Sequence, residues 1–191
     1  MKGLILTVLG VGLCGAALTP DQSISEPVRL RIVANKIQPP IRHARDESAR
    51  AWSIPIPIFK AMELIESSGG KHLRAYGKAE KKYARKLLRA KPGYVAAAAR
   101  AGWSLRQLAT SYGPMHVLGV NYYQKGYKPS DVDDLELNYE LAANYVSSCE
   151  AKKGKGNWRG ILLCYNGGAD PTYPVKVARV AIAFGMKSKN G

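Results

Sequence analysis

The stretch over residues 57–70 constrains the fold more than any other part of the chain. A proline stands at its start, where the first turn of a helix accepts one, and the pair Gly69-Gly70 ends it as glycines commonly end helices. The pattern therefore predicts an amphipathic helix packed on a core. The apolar residues at helical spacing are Ile58, Ala61, Met62 and Ile65.

Helical spacing dominates the rest of the chain, and no strand pattern of any length competes with it. With 46% hydrophobic residues in 191, the chain can bury a core of ordinary size. The fold class predicted is all-α, a compact multi-helix domain. Helices are expected over 42–52, 78–90, 94–101, 114–126 and 158–165, from Ser104, from Ser130 (the longest) and from Pro174.

The N-terminus has the pattern of a secretory leader. Lys2 precedes an apolar run to Leu18, and Cys14-Gly15-Ala16 offers small residues for cleavage. We therefore predict a signal peptide over residues 1–19 and export to the periplasm or cell envelope, with membrane contact only through the removed leader. Two alternatives stay open: a lipoprotein anchored at Cys14, and a cytoplasmic protein with an apolar N-terminus.

Positive charge is concentrated in one part of the sequence. The formal net charge is +15, and residues 71–106 contain eleven lysines and arginines against a single acid, Glu80. A basic face of this kind favours a polyanionic partner, and for an exported protein the cell wall is at hand. The alternatives are a solvated face without a ligand and a nucleic-acid binder. The leader and the lack of a nucleic-acid motif argue against nucleic acid as a partner.

Glu66 lies in the last turn of the helix predicted over 57–70, on the flank of its apolar stripe. Partial desolvation at such a position favours the neutral form of a carboxyl group. A carboxylic acid that stays protonated near neutral pH can act as a general acid. The simpler alternative is an ordinary solvated glutamate at a helix end.

The cysteines and histidines carry no metal pattern. Cys149 and Cys164 fall on two consecutive predicted helices, so both a disulfide and a pair of buried free thiols stay open. The three histidines are scattered singly, without the spacing of metal ligands. We predict neither a metal nor a cofactor.

Four short stretches, taken in order, resemble the soluble lytic transglycosylase (SLT) domain, a relative of goose-type lysozyme. The resemblance covers roughly residues 50–180 and implies a lysozyme-like domain over 51–186, with a basic insertion at 71–106. It leaves an N-terminal extension at 20–50 and a disordered tail at 187–191. The four stretches are Glu66-Ser67, Ser111 to His116, the helix containing Asn138, and Tyr165-Asn166-Gly167-Gly168.

The resemblance assigns roles to individual residues. Glu66 corresponds to the family's single catalytic acid and base, and Ser67 to a residue that orients the carboxyl group or the substrate. Tyr165 is expected to hydrogen-bond Glu66. His116 stands where the family usually has a glutamine that lines the sugar site. The remaining substrate-binding candidates are Met115, Asn166 and Tyr173.

The activity implied is cleavage of the bond between N-acetylmuramic acid and N-acetylglucosamine in peptidoglycan, with a 1,6-anhydro product, by a monomer. A hydrolytic muramidase of the same fold and a non-catalytic wall-binding protein are the alternatives. Glu63, one turn before Glu66, is expected to be solvent-exposed. Asp170, beside the fourth stretch, is a weaker candidate for a second acid.

Overall fold

Helices account for most of the chain that the computed structural model describes, residues 39–186, which all lie in one compact unit. The mostly helical class is confirmed. The helices are α1 (Pro39–Ala51), α2 (Ile56–Ser67), α3 (Lys78–Ala90), α4 (Pro92–Arg100), α5 (Leu105–Ala109), α6 (Gly119–Gln124), α7 (Leu135–Lys153), α8 (Trp158–Tyr165) and α9 (Tyr173–Ala183).

A small antiparallel sheet accompanies the helices. Its strands are β1 (Arg74–Ala75), β2 (Ser111–Tyr112) and β3 (Val117–Leu118), paired in that order. The prediction of a helix starting at Pro114 is wrong, because the chain turns back between β2 and β3 and becomes helical only at Gly119. Gly113 and His116 adopt positive φ angles of 69° and 47°, which make this reversal.

The predicted helix over 57–70 is confirmed as α2. Ser68 ends it in the left-handed conformation at φ 56°, and its backbone N–H bonds the carbonyl of Glu63. The glycine pair follows directly, and Gly69 donates to the same carbonyl at 3.3 Å. Glu66 therefore lies in the last turn of α2, just before the chain changes direction.

The longest helix, α7, begins later than the sequence suggested. Residues Pro129–Asp133 form a 3₁₀ turn, and α7 starts at Leu135. Asp134 caps it, since its carboxylate accepts a hydrogen bond from the Leu137 backbone at 3.0 Å. The acids predicted for the first helical turn thus belong partly to the preceding turn.

The core lies where α7 packs against α1 and α8, and where α2 packs against α9. Its largest fully buried side chains include Phe59, Met62, Tyr139 and Ile161. Helix α1 belongs to this core and runs through the domain boundary predicted at residues 50 and 51. Residues 1–38 and 187–191, with the predicted leader and tail, lie outside the described part.

A disulfide joins Cys149 of α7 to Cys164 of α8, with the Cα atoms 5.7 Å apart. The sequence left this pairing open against two free thiols. Closing a loop of about 15 residues stabilises a fold by about 3 kcal/mol in the chain-entropy model. The bridge fixes the end of α8, where Tyr165 follows directly after Cys164.

Within residues 39–186, none of the helices is both long enough and apolar enough to cross a membrane.

Candidate active site

The Glu66 side chain is largely but not completely buried, with 16% of it exposed. Burial raises the pKa of this carboxyl from its ordinary 4.5 to about 7. The Tyr173 hydroxyl opposes this shift, and the negative charge of Glu80 adds to it. Glu66 thus combines a reachable position with a substantial protonated fraction at neutral pH.

Tyr173 lies beneath Glu66, because α9 begins at this residue and packs against α2. Only 2% of Tyr173 is exposed. Its hydroxyl lies near enough to Glu66 to favour the charged form of the carboxyl group. Within residues 39–186, however, this hydroxyl makes no hydrogen bond of standard distance and angle. Burial and the Glu66 charge both raise the pKa of Tyr173, so the phenol keeps its proton. It can therefore donate to a carboxylate formed at Glu66.

The β2–β3 turn brings His116 to Glu66. The His116 Nδ1 lies 3.7 Å from Glu66 Oε2, and its Nε2 lies 2.8 Å from the carbonyl oxygen of His72. Of the His116 side chain, 14% is exposed. His116 and Glu66 therefore form a partly exposed pair that a ligand can reach.

At pH 7 the His116 ring is mostly neutral and Glu66 is divided between its protonated and ionised forms, so the pair is not a full salt bridge. Burial lowers the pKa of His116, while it raises that of Glu66. A carbonyl oxygen only accepts hydrogen bonds, so Nε2 of the neutral ring carries the proton and donates to His72. Nδ1 then carries a lone pair on the side of Glu66, at a distance of 3.7 Å that is longer than a hydrogen bond.

Asn138, on α7, holds the turn that carries His116. Its side-chain oxygen accepts a hydrogen bond from the Met115 backbone at 2.9 Å, and its Nδ2 donates to the Tyr112 carbonyl at 2.8 Å and to the Tyr122 hydroxyl at 2.9 Å. Gly113 is required here, since a Cβ would lie 2.2 Å from Asn138 Cγ. Asn138, the third of the four stretches, therefore holds the second stretch, Ser111 to His116, in place.

Tyr165 supports the same turn from the opposite side. Its hydroxyl donates to the Met115 carbonyl at 2.7 Å. The prediction that Tyr165 hydrogen-bonds Glu66 is therefore wrong, because the hydroxyl donates to Met115 instead. The Glu66 charge still contributes, after burial, to raising the pKa of Tyr165, so the two residues are close. Tyr165 positions the turn, and through it His116.

Three residues predicted to bind substrate are either buried or engaged in hydrogen bonds within the protein. Ser67 is fully buried, donates to the Glu63 carbonyl and accepts from the Gly70 backbone, so it closes the end of α2 rather than facing a ligand. The Met115 side chain is fully buried in the core. The Asn166 side chain accepts from the Asp170 backbone at 2.7 Å and shapes the turn before α9.

The two other acids considered from sequence have structural partners. Glu63 is buried, not exposed as expected: it binds Arg45 Nη1 at 2.7 Å and accepts from the Tyr139 hydroxyl at 2.9 Å. Asp170 binds Lys176 at 2.7 Å. Its hydrogen bonds to Lys176 and to Thr172 lower its pKa to about 2, which leaves it ionised and unable to act as a general acid.

Glu80 is the acidic neighbour that sequence reasoning missed. Its Oε2 accepts from the Gly77 backbone at 2.9 Å, which caps α3, and its Oε1 accepts from Ser111 Oγ at 3.3 Å. Its charge raises the pKa of both Glu66 and His116. The available signal was its isolation, since it is the only acid among residues 71–106.

Residues 39–186 contain no group of three or more histidine, cysteine, aspartate or glutamate side chains placed to hold a metal ion. No protein-family model, no curated protein and no solved structure matches this chain.

Proposed function

We propose that this protein is an exported peptidoglycan lytic transglycosylase that uses Glu66 as its single acid and base. The observation that carries the proposal is the Glu66 carboxyl, which is partly exposed, has a pKa of about 7 and lies 3.7 Å from Nδ1 of His116. The lysozyme-like arrangement of the domain belongs to the same proposal. The contacts by which Asn138 and Tyr165 hold the turn that brings His116 to Glu66 support it.

In the first step, the protonated Glu66 donates its proton to the oxygen that bridges N-acetylmuramic acid and N-acetylglucosamine. The bond from that oxygen to the anomeric carbon of the muramoyl ring breaks, and positive charge develops on this carbon. Glu66 is left as a carboxylate. The buried Tyr173 hydroxyl stabilises that charge, because it is the donor below the carboxyl group.

In the second step, the Glu66 carboxylate takes the proton of the muramoyl 6-hydroxyl group. The oxygen of that group bonds to the anomeric carbon, which closes a 1,6-anhydro ring. Glu66 is protonated again and no water is consumed. His116, whose Nδ1 lies 3.7 Å from Glu66 Oε2, contacts the sugar as the partly exposed neighbour of the carboxyl group.

A hydrolytic muramidase is the second candidate, and Glu80 favours it. Most glycosidases use two carboxylates, of which one activates water or serves as nucleophile. Glu80 is near enough to Glu66 to raise its pKa and could take such a part. The two reactions share their first step. They differ in whether the 6-hydroxyl group or water bonds to the anomeric carbon in the second step.

The mass of the released sugars tests the proposal directly. Purified peptidoglycan digested by the protein should release fragments whose muramoyl ends are lighter by one water than reducing ends. Fragments with reducing ends only would establish the muramidase instead. Absence of soluble fragments from walls that a known muramidase digests would contradict both.

The pH dependence of wall cleavage should show one falling limb near pH 7. Glu66 must be protonated to act as the acid, so kcat/KM should decrease about tenfold per pH unit above its pKa. Glu80→Gln should move this limb to lower pH, because the substitution removes a negative charge that raises the Glu66 pKa. Glutamine can keep the hydrogen bonds at the start of α3. An unchanged or higher limb in Glu80→Gln would contradict the placement of Glu80.

A further inference from the structure

The outer surface of α3 carries a stripe of four cations. Lys82, Arg85, Lys86 and Arg89 follow one another at the spacing of one helix face, and all four are exposed. With Ala90 they line an open surface depression. The opposite side of α3 is anchored in the domain through Ala84 and Leu87, which are buried. The stripe, called the α3 cationic face below, is therefore held in a fixed orientation.

In the part of the chain that the structure describes, these four side chains have no acidic partner. Other cations do: Arg74 binds Asp133 at 2.6 Å, and Lys176 binds Asp170 at 2.7 Å. Like charges three and four residues apart destabilise a helix. An anionic ligand would remove this repulsion.

The first turn of α3 is attached to the candidate active site. Glu80 on that turn accepts a hydrogen bond from Ser111, the first residue of β2, and β2 leads into the turn that carries His116. Since α3 has 13 residues, the helix is about 20 Å long. Glu80 precedes Ala84 by four residues and therefore lies on the anchored side of α3, so the α3 cationic face lies on the other side of this helix from the candidate active site.

We propose that the α3 cationic face binds the carboxylates of the peptide side branches of peptidoglycan, on glycan next to the strand whose bond lies at Glu66. The inference rests on the proposed function, which places the domain among the glycan strands of the cell wall. A linear series of cations suits a series of carboxylates along a polymer. A lipid surface fits less well, because the apolar side of α3 is buried and Leu88 is its one exposed large apolar residue.

Binding to intact cell walls tests the inference in a chain that also carries Glu66→Gln, so that the walls are not consumed. Lys82→Gln, Arg85→Gln, Lys86→Gln and Arg89→Gln together should weaken binding by about tenfold, the effect of four weak exposed ion pairs. The difference should shrink at high salt. The matched control removes the same charge from other exposed lysines, Lys125, Lys152, Lys153 and Lys155, and should bind like the parent.

Walls whose carboxylates have been converted to neutral methylamides by carbodiimide coupling give the second arm. Parent and α3 variant should then bind equally weakly. Equal binding of the two to intact walls, an α3 effect that persists on amidated walls, or a loss as large in the control would overturn the inference. So would preferential, α3-dependent binding to vesicles of anionic phospholipid. Fragment release by the unsubstituted chain is measured separately, so that failure of the proposed function and failure of the α3 inference give different results.

Discussion

Glu66→Gln should reduce fragment release from purified cell walls by a factor of at least about a hundred, the contribution of a positioned general acid. Glutamine has nearly the shape of glutamic acid but has no proton to give to the bridging oxygen. The measurement is the rate of soluble muropeptide release at pH 6, where Glu66 is mostly protonated. Cleavage at the unsubstituted rate would remove Glu66 from the mechanism.

The same substitution should make the fold more stable, which separates lost chemistry from lost structure. Glu66 has an ordinary pKa of 4.5 and a folded pKa of about 7, so ionisation favours the unfolded chain. Its contribution to stability is fully present below pH 4.5 and is lost as the pH rises through 7. A shift of this size corresponds to about 3 kcal/mol above pH 8.

Denaturant unfolding of both proteins at two pH values measures this effect. The free energy of unfolding of the Glu66→Gln chain should exceed that of the parent at pH 8. The two should match below pH 4, because Glu66 of the parent is then protonated in both the folded and the unfolded chain. Equal stability of the two at pH 8 would show that Glu66 is solvated.

Asn138→Ala should destabilise the fold by about 4 kcal/mol, since it leaves several buried polar groups without partners. The groups concerned are the Met115 N–H, the Tyr112 carbonyl and the Tyr122 hydroxyl. Because these contacts hold the turn that carries His116, wall cleavage should fall as well, even under conditions in which the variant is fully folded. The free energy of unfolding from denaturant titration is the primary measurement.

Asn144→Ala is the matched control, as it makes the same change on the same helix at a half-buried position. Its stability should stay within about 0.5 kcal/mol of the parent. Similar losses in both variants would mean that the effect comes from α7 itself and not from the turn.

The helices were accessible to sequence reasoning because their pattern is local. The boundaries of α3 match the predicted 78–90, and the predicted capping box at Ser104 forms, with Gln107 donating to Ser104 Oγ at 3.1 Å. Repeated apolar positions every three or four residues leave few alternatives to a helix with one buried face. Glu66 could be singled out for the same reason.

The β2–β3 turn was not accessible in this way. Strands of two residues are too short to show alternation, and Pro114 reads locally as a helix start. A helix through this stretch is excluded by a contact with α7, which lies over 20 residues later in the chain. There Asn138 occupies the space that a side chain at residue 113 would need.

Glu63 and Ser67 illustrate the same division. Both lie within one turn of Glu66, and neither reaches the surface, since Arg45 and Tyr139 enclose Glu63 and the end of α2 encloses Ser67. Sequence neighbours on a helix can be assigned to a face, but their partners come from other helices.

By itself the sequence determined a helical domain, the position of most of its helices and one glutamate on the edge of an apolar stripe. The tertiary structure decided which groups surround that glutamate: His116 from a turn, Tyr173 from the last helix and Glu80 from the basic segment. The reason is physical. Helix formation follows from side-chain periodicity within a few residues, whereas the pKa of a carboxyl group depends on burial and charges that distant segments supply.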